Sequence, residues 1–152
     1  MPQPLLTPIH WDIQSTIVAG VRIPLARLRV DILLPGALAN EPTFGERCWF
    51  DSGAPVSIVP HAIQRLGLNW QPLPRAKTTW LGQPAVVGYF DLWFPSPAGG
   101  PPAGPFRTLA KFAQADLPGP AVPVLLELEF LLAHQAAAAL LTPPQPSSLT
   151  LP

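Results

Sequence analysis

Asp51-Ser52-Gly53-Ala54 lies between two apolar runs, Cys48-Trp49-Phe50 before it and Val56-Ser57-Ile58-Val59 after it. A carboxylate so placed is either a turn-capping residue or a catalytic group, because Asp and Ser before Gly are ordinary turn chemistry. Two carboxylates about 3 Å apart cannot both ionise, so they share a proton, one acting as base toward a water and the other as acid toward a substrate carbonyl. Gly53 admits close backbone approach, and Ser52 supplies a short donor and acceptor to fix the loop. The chain holds one Asp-Ser-Gly. A twofold dimer that sets Asp51 beside its own copy supplies the second carboxylate.

The remaining polar residues offer less. Asp12, Asp31, Asp91 and Asp116 lack a following Ser/Thr-Gly and read as solvated strand or turn residues. Glu127 and Glu129 are two apart and do not meet on one helical face. His10, His61 and His134 have no metal-ligand spacing, and with Cys48 as the single cysteine no metal site and no cofactor are expected. Cys48 reads as a small buried hydrophobe. Ser57 has no recognisable base partner and reads as a structural hydroxyl. Gly99-Gly100 lacks the following Lys-Ser/Thr of a phosphate loop.

The elements that position Asp51 are short, because 23 prolines divide the chain and proline is excluded from central strands and helix interiors. Between Ala26 and Leu34, Leu28, Val30 and Ile32 alternate with Arg27, Arg29 and Asp31, the period of a half-buried strand. Ala37 to Gly45 reads as a loop, Arg47 to Phe50 as the strand entering the Asp turn, and Val56 to Val59 as a short buried strand. Pro60 suits the first turn of a helix that closes at Gly67. Thr78 to Leu81 and Ala85 to Phe94 read as strands around Gly82-Gln83-Pro84, Ser96 to Pro105 as a loop, and Phe106 to Ala115 as a strand with Phe106, Thr108, Ala110 and Phe112 on one side. Leu125 to His134 reads as a helix from its residue types. Ala136 to Leu141 has helical propensity and Ser148 to Leu151 is strand-like, so that segment is left open between helix and hairpin.

Composition bounds the function classes. A length of 152 residues predicts one domain, large enough to bury about two-thirds of its unfolded surface. Hydrophobic residues make up 48% and charged residues 12%, with nine basic and nine acidic side chains. So little charge at zero net balance favours association, and the lack of a basic stripe argues against nucleic acid as a partner. Met1 to Pro8 has no signal-peptide pattern, and the most apolar stretch, Val122 to Leu141, is broken by Glu127, Glu129, His134 and Gln135. A cytoplasmic protein with no membrane partner is expected.

Phe50-Asp51-Ser52-Gly53-Ala54, followed by Ser57-Ile58-Val59-Pro60 and a helix ending Leu66-Gly67-Leu68, resembles the retropepsin-like aspartic protease family. Pro123-Val124-Leu125-Leu126-Glu127-Leu128-Glu129-Phe130-Leu131 is similar to the family's second element, an apolar strand, a Gly-Arg-Asp/Asn turn and a helix. The resemblance is strongest over 25–134, leaving 1–24 and 135–152 as terminal segments of a single domain spanning 1–152. Glu127, Leu128 and Glu129 replace Gly, Arg and Asp/Asn, and Pro55 stands where retroviral members carry the acid that pairs with the Arg. Both partners are absent together, which leaves no single buried charge unpaired.

The resemblance implies a mostly β, closed or partly open acid-protease-like barrel, with one short helix after the Asp-Ser-Gly turn and one near Leu126 to His134. It implies a homodimeric aspartic endopeptidase with Asp51 catalytic and Ser52, Gly53 and Ala54 in the active-site loop, acting on a peptide or protein substrate. A flap over the substrate would be Thr79 to Gly88, flexing at Gly82 and Gly88, with Trp80, Leu81 and Val86 as apolar contacts. Val56, Ile58, Trp80, Leu81 and Gly82 would bind substrate, an extended peptide adding as a strand. The alternative is a catalytically silent module of the same fold used for binding or dimerisation.

Overall fold

A computed structural model describes residues 4–51, 56–119 and 121–152. The chain is mostly strand. β1 (Leu5–Val18) and β2 (Val21–Leu34) form a long hairpin, followed by β3 (Phe44–Phe50), β4 (Ser57–Val59) and the one-turn helix α1 (His61–Gln64). β5 (Trp70–Trp80) and β6 (Gln83–Phe94) make a second hairpin, and β7 (Ala103–Ala113) pairs with β6. β8 (Val124–Leu126), helix α2 (Leu128–Ala133), β9 (Ala137–Ala139) and β10 (Ser147–Leu151) complete the order.

The strands lie in one sheet ordered β5-β6-β7-β4-β8-β3-β2-β1-β10-β9. A further pairing of β2 with β6 through Leu33 and Trp93 closes six of them, β2, β3, β8, β4, β7 and β6, into a ring. Alternation fills it: Val30, Ile32 and Leu34 of β2, Phe90, Leu92 and Phe94 of β6, and Ala110 and Phe112 of β7 are buried together. Phe112 stacks on Trp70 at 4.1 Å and meets Phe90 edge-on at 5.8 Å, while Phe94 meets Phe130 of α2 at 5.9 Å. Truncating a fully enclosed phenylalanine such as Phe112 to Ala costs about 3–5 kcal/mol.

Several expectations need correction. Residues 5–18, read as part of a terminal segment, form a 14-residue strand that pairs with β10 through Leu5 to Ile9 and with β2 from His10 onward. β5 starts at Trp70, well before Thr78, despite Pro72 and Pro74. It is an edge strand with a register irregularity between Pro72 and Lys77, the two settings in which proline is tolerated. The β5–β6 turn is Leu81-Gly82, with φ of 49° and 75°, and Gln83 and Pro84 already belong to β6. Leu125 and Leu126, read as helical, end β8, held there by pairing with both β3 and β4. The segment left open after Gln135 is a hairpin, β9 pairing with β10.

Candidate functional site

β3 and β8 run parallel, with Cys48 opposite Val124 and Phe50 opposite Leu126. Both end at a core-facing residue, so the chain continues into two acids, Asp51 and Glu127, at equivalent points of neighbouring strands. The Asp51 N–H donates to the Leu126 carbonyl at 2.9 Å, which ties the first acid's backbone to the second strand. Asp51 is exposed and Glu127 is fully buried. Ser52, Gly53 and Ala54, the expected active-site loop, lie outside the described residues.

Asp51 lines a groove of about 470 Å³. Trp11 of β1, Arg27 and Leu28 of β2, Trp49 of β3, and Trp80 and Leu81 of the β5–β6 turn form its walls. Three indole rings and three leucines, the third being Leu125 of β8, make it apolar around one carboxylate and one guanidinium. The Arg27 guanidinium lies 5.1 Å from the centre of the Trp49 ring, a cation–π distance. Of the expected substrate contacts, Trp80 and Leu81 are therefore beside Asp51. Gly82 follows in the exposed turn with φ +75°.

The other expected contacts stand differently. Ile58 is 1% exposed, held in β4 between Leu125 of β8 and Lys111 of β7, and so cannot line an open groove. Val56 is half-buried and is not among the groove's lining residues. Val86 lies in β6 opposite Lys77 and Phe112, again outside the groove. Gly88 is no flexing point: it is buried in mid-strand, where a Cβ would come within 2.6 Å of the Gln71 carbonyl and 3.0 Å of the Trp70 ring. Close packing of β6 on β5 requires glycine there.

Ser57 supports the site from behind. Its N–H and its hydroxyl both donate to Glu129 Oε1, at 2.7 and 2.6 Å, and its Oγ accepts the Glu127 N–H at 3.2 Å. The hydroxyl thus clamps the start of β4 to the first turn of α2, and it is fully buried. Burial pushes the Glu129 carboxyl above its ordinary range, an effect opposed by the two Ser57 bonds and by His134. Sequence reasoning missed this clamp because Glu129 is 72 residues from Ser57. It also missed Trp11 and Arg27, whose position on the groove depends on the β1–β2 hairpin.

Other reactive groups are engaged or sealed. Burial pushes the Cys48 thiol up to about 12, which leaves it neutral and inert. Asp12 and Asp31 flank Arg29 at 3.6 and 3.5 Å. Asp116 bridges Arg65 and His61, and the Arg65 hydrogen bond foremost lowers its pKa. Among the described residues no three His, Cys, Asp or Glu side chains gather as a metal site, and no helix is long and apolar enough to cross a membrane. No family model, curated protein or solved structure matches the chain.

Proposed function

We propose that the chain is a retropepsin-like aspartic endopeptidase whose site is completed by a second copy of itself. The observation that carries this reading is the exposed Asp51 carboxylate at the end of β3, opening on a groove walled by Trp80, Leu81, Trp49 and Leu28. In the dimer the two Asp51 groups share one proton. The ionised one takes a proton from a water as its oxygen attacks the peptide carbonyl carbon, and the protonated one gives its proton to the carbonyl oxygen. Collapse of the tetrahedral intermediate breaks the C–N bond as the nitrogen takes the proton that the first Asp51 had drawn from water and the other Asp51 takes back a hydroxyl proton of the intermediate; no covalent enzyme adduct forms. The apolar walls hold flanking side chains and exclude water from the reacting centre.

A second reading, a silent binding or dimerisation module, is favoured by the Glu127-Leu128-Glu129 replacement of the family's Gly-Arg-Asp/Asn turn. Two features weigh against it: Asp51 is not buried, and Glu129 has a structural partner in Ser57. The test is incubation of the parent and of Asp51→Asn with a peptide library, read by mass spectrometry. Cleavage by the parent alone supports the protease; cleavage by neither leaves the binding module in front; equal cleavage by both rules out the proposed mechanism.

A further inference from the structure

β2 runs past the strand that flanks it. β3 pairs with β2 from Leu34 back to Leu28 and stops at Phe50, whereas β2 continues outward to Val21. The β1–β2 turn, Ala19-Gly20, has two residues with φ of 51° and 78° and closes on the Val18–Val21 pair. Two-residue loops of this kind close on a hydrogen-bonded pair. Val21, Ile23, Leu25 and Arg27 therefore turn their backbone groups toward β1, and Arg22, Pro24 and Ala26 turn theirs to the other side. Among the described residues no strand pairs with that side of 21–27. The open edge begins where β3 gives way to Asp51.

Arg27 stands at this edge. It is exposed, it lines the Asp51 groove, and no ion pair among the described residues includes it. The Trp49 ring beneath it holds the guanidinium in place while leaving its N–H donors open to a carboxylate. Pro24 offers a carbonyl and no N–H, which interrupts the edge and discourages continuous pairing with a whole strand. A short extended segment, bonded to Ala26 and the Pro24 carbonyl, fits better.

Resting on the reading of the groove as a peptide site, we propose that it selects extended peptides in which an acidic side chain, held by Arg27, lies beside bulky apolar side chains held by Trp11, Trp80 and Leu81. The chemistry is complementary at each point: a bidentate donor for a carboxylate, indole and leucine surfaces for apolar groups, and, for the backbone, a strand edge that no described strand covers.

The test uses non-cleaving Asp51→Asn protein and labelled peptides with a common Leu-Phe centre flanked by Glu, Gln or Lys, followed by fluorescence anisotropy. The Glu peptide should bind about tenfold or more tightly than the Gln peptide, with a preference that shrinks as salt is added. Adding Arg27→Glu should reverse the order in favour of the Lys peptide, and Arg27→Gln should remove the preference. Because Arg27 is exposed, both variants should fold, which circular dichroism checks; if Arg27→Glu does not, Arg27→Gln decides alone. Equal binding of Glu and Gln peptides, or a preference unchanged by the variants, overturns the proposal. So does loss of self-association in the variants, seen by sedimentation, with no peptide preference in either background, since a second copy would then occupy the groove. Charge-selective binding without any cleavage by the parent would sink the protease reading and leave the Arg27 assignment standing.

Discussion

β3 and β8 are parallel neighbours in register, yet the acids that follow them have opposite fates. After Phe50 the chain presents Asp51 to solvent and to an aromatic groove, and its one described backbone bond reaches back to Leu126. After Leu126 the chain buries Glu127 completely and turns into α2, whose Glu129 accepts both donors of Ser57. Asp51 stands exposed at a strand end beside a groove, whereas Ser57 holds the Glu129 carboxylate and the Glu127 N–H together. Two equivalent strand ends in one sheet thus divide an open acid from an enclosed one.

Replacing Asp51 should break that division most sharply. Asp51→Asn keeps shape and hydrogen-bonding capacity but removes the titrating proton, so cleavage should fall by at least about 100-fold. The thermal midpoint should hold or rise, since two neighbouring carboxylates no longer repel. Dilution below the dimer dissociation constant should abolish activity in proportion to the monomer formed, as measured by specific activity alongside sedimentation. A stable monomer that cleaves undiminished would refute the shared site.

On the opposite side of the comparison, Ser57→Ala should cost stability. The substitution leaves the buried Glu127 N–H without its acceptor and removes one donor from Glu129, a loss of about 1–3 kcal/mol by denaturant titration. A variant as stable as the parent would show that the clamp contributes nothing.

The smallest effect is a pH slope. Glu129 is raised in the folded state, chiefly by burial, above its ordinary value of 4.5. A carboxyl raised on folding favours the folded state when protonated, so its contribution is full below pH 4.5 and is lost as pH rises toward the higher folded value. Glu129→Gln retains an oxygen to accept both Ser57 bonds and removes this titration. Stability of the variant should therefore decline less than the parent's from pH 4.5 upward. An unchanged slope would mean that the group's folded and unfolded affinities for the proton are the same.

Much of the Asp51 surroundings was legible because its signals are local. The apolar run Cys48-Trp49-Phe50, the short β-branched strand ending at Val59, and the start of a helix after Pro60 all follow from neighbouring residue types, although the helix ends at Gln64, short of Gly67. The face of β7 built from Thr108, Ala110 and Phe112 follows from period two alone. Prolines misled where the setting was tertiary: Pro72 and Pro74 sit in an edge strand, and the side of β2 to which Pro24 turns is paired with no strand among the described residues. Gly88 looked like a hinge and is a contact, because only the approach of the Gln71 carbonyl and the Trp70 ring reveals why a side chain is excluded.

The sequence by itself determined the alternation of strands, the strand that leads into Asp51 and the lone Asp-Ser-Gly, since each depends on residues a few positions apart. Only the tertiary structure decided that Ile58 is sealed while Asp51 is open, that Glu129 serves Ser57 from 72 residues away, and that Arg27 and Trp11 wall the groove. Those outcomes depend on which strands cover both faces of a neighbour, and burial of that kind is a property of distant segments brought together, with no trace in the residue types at either end.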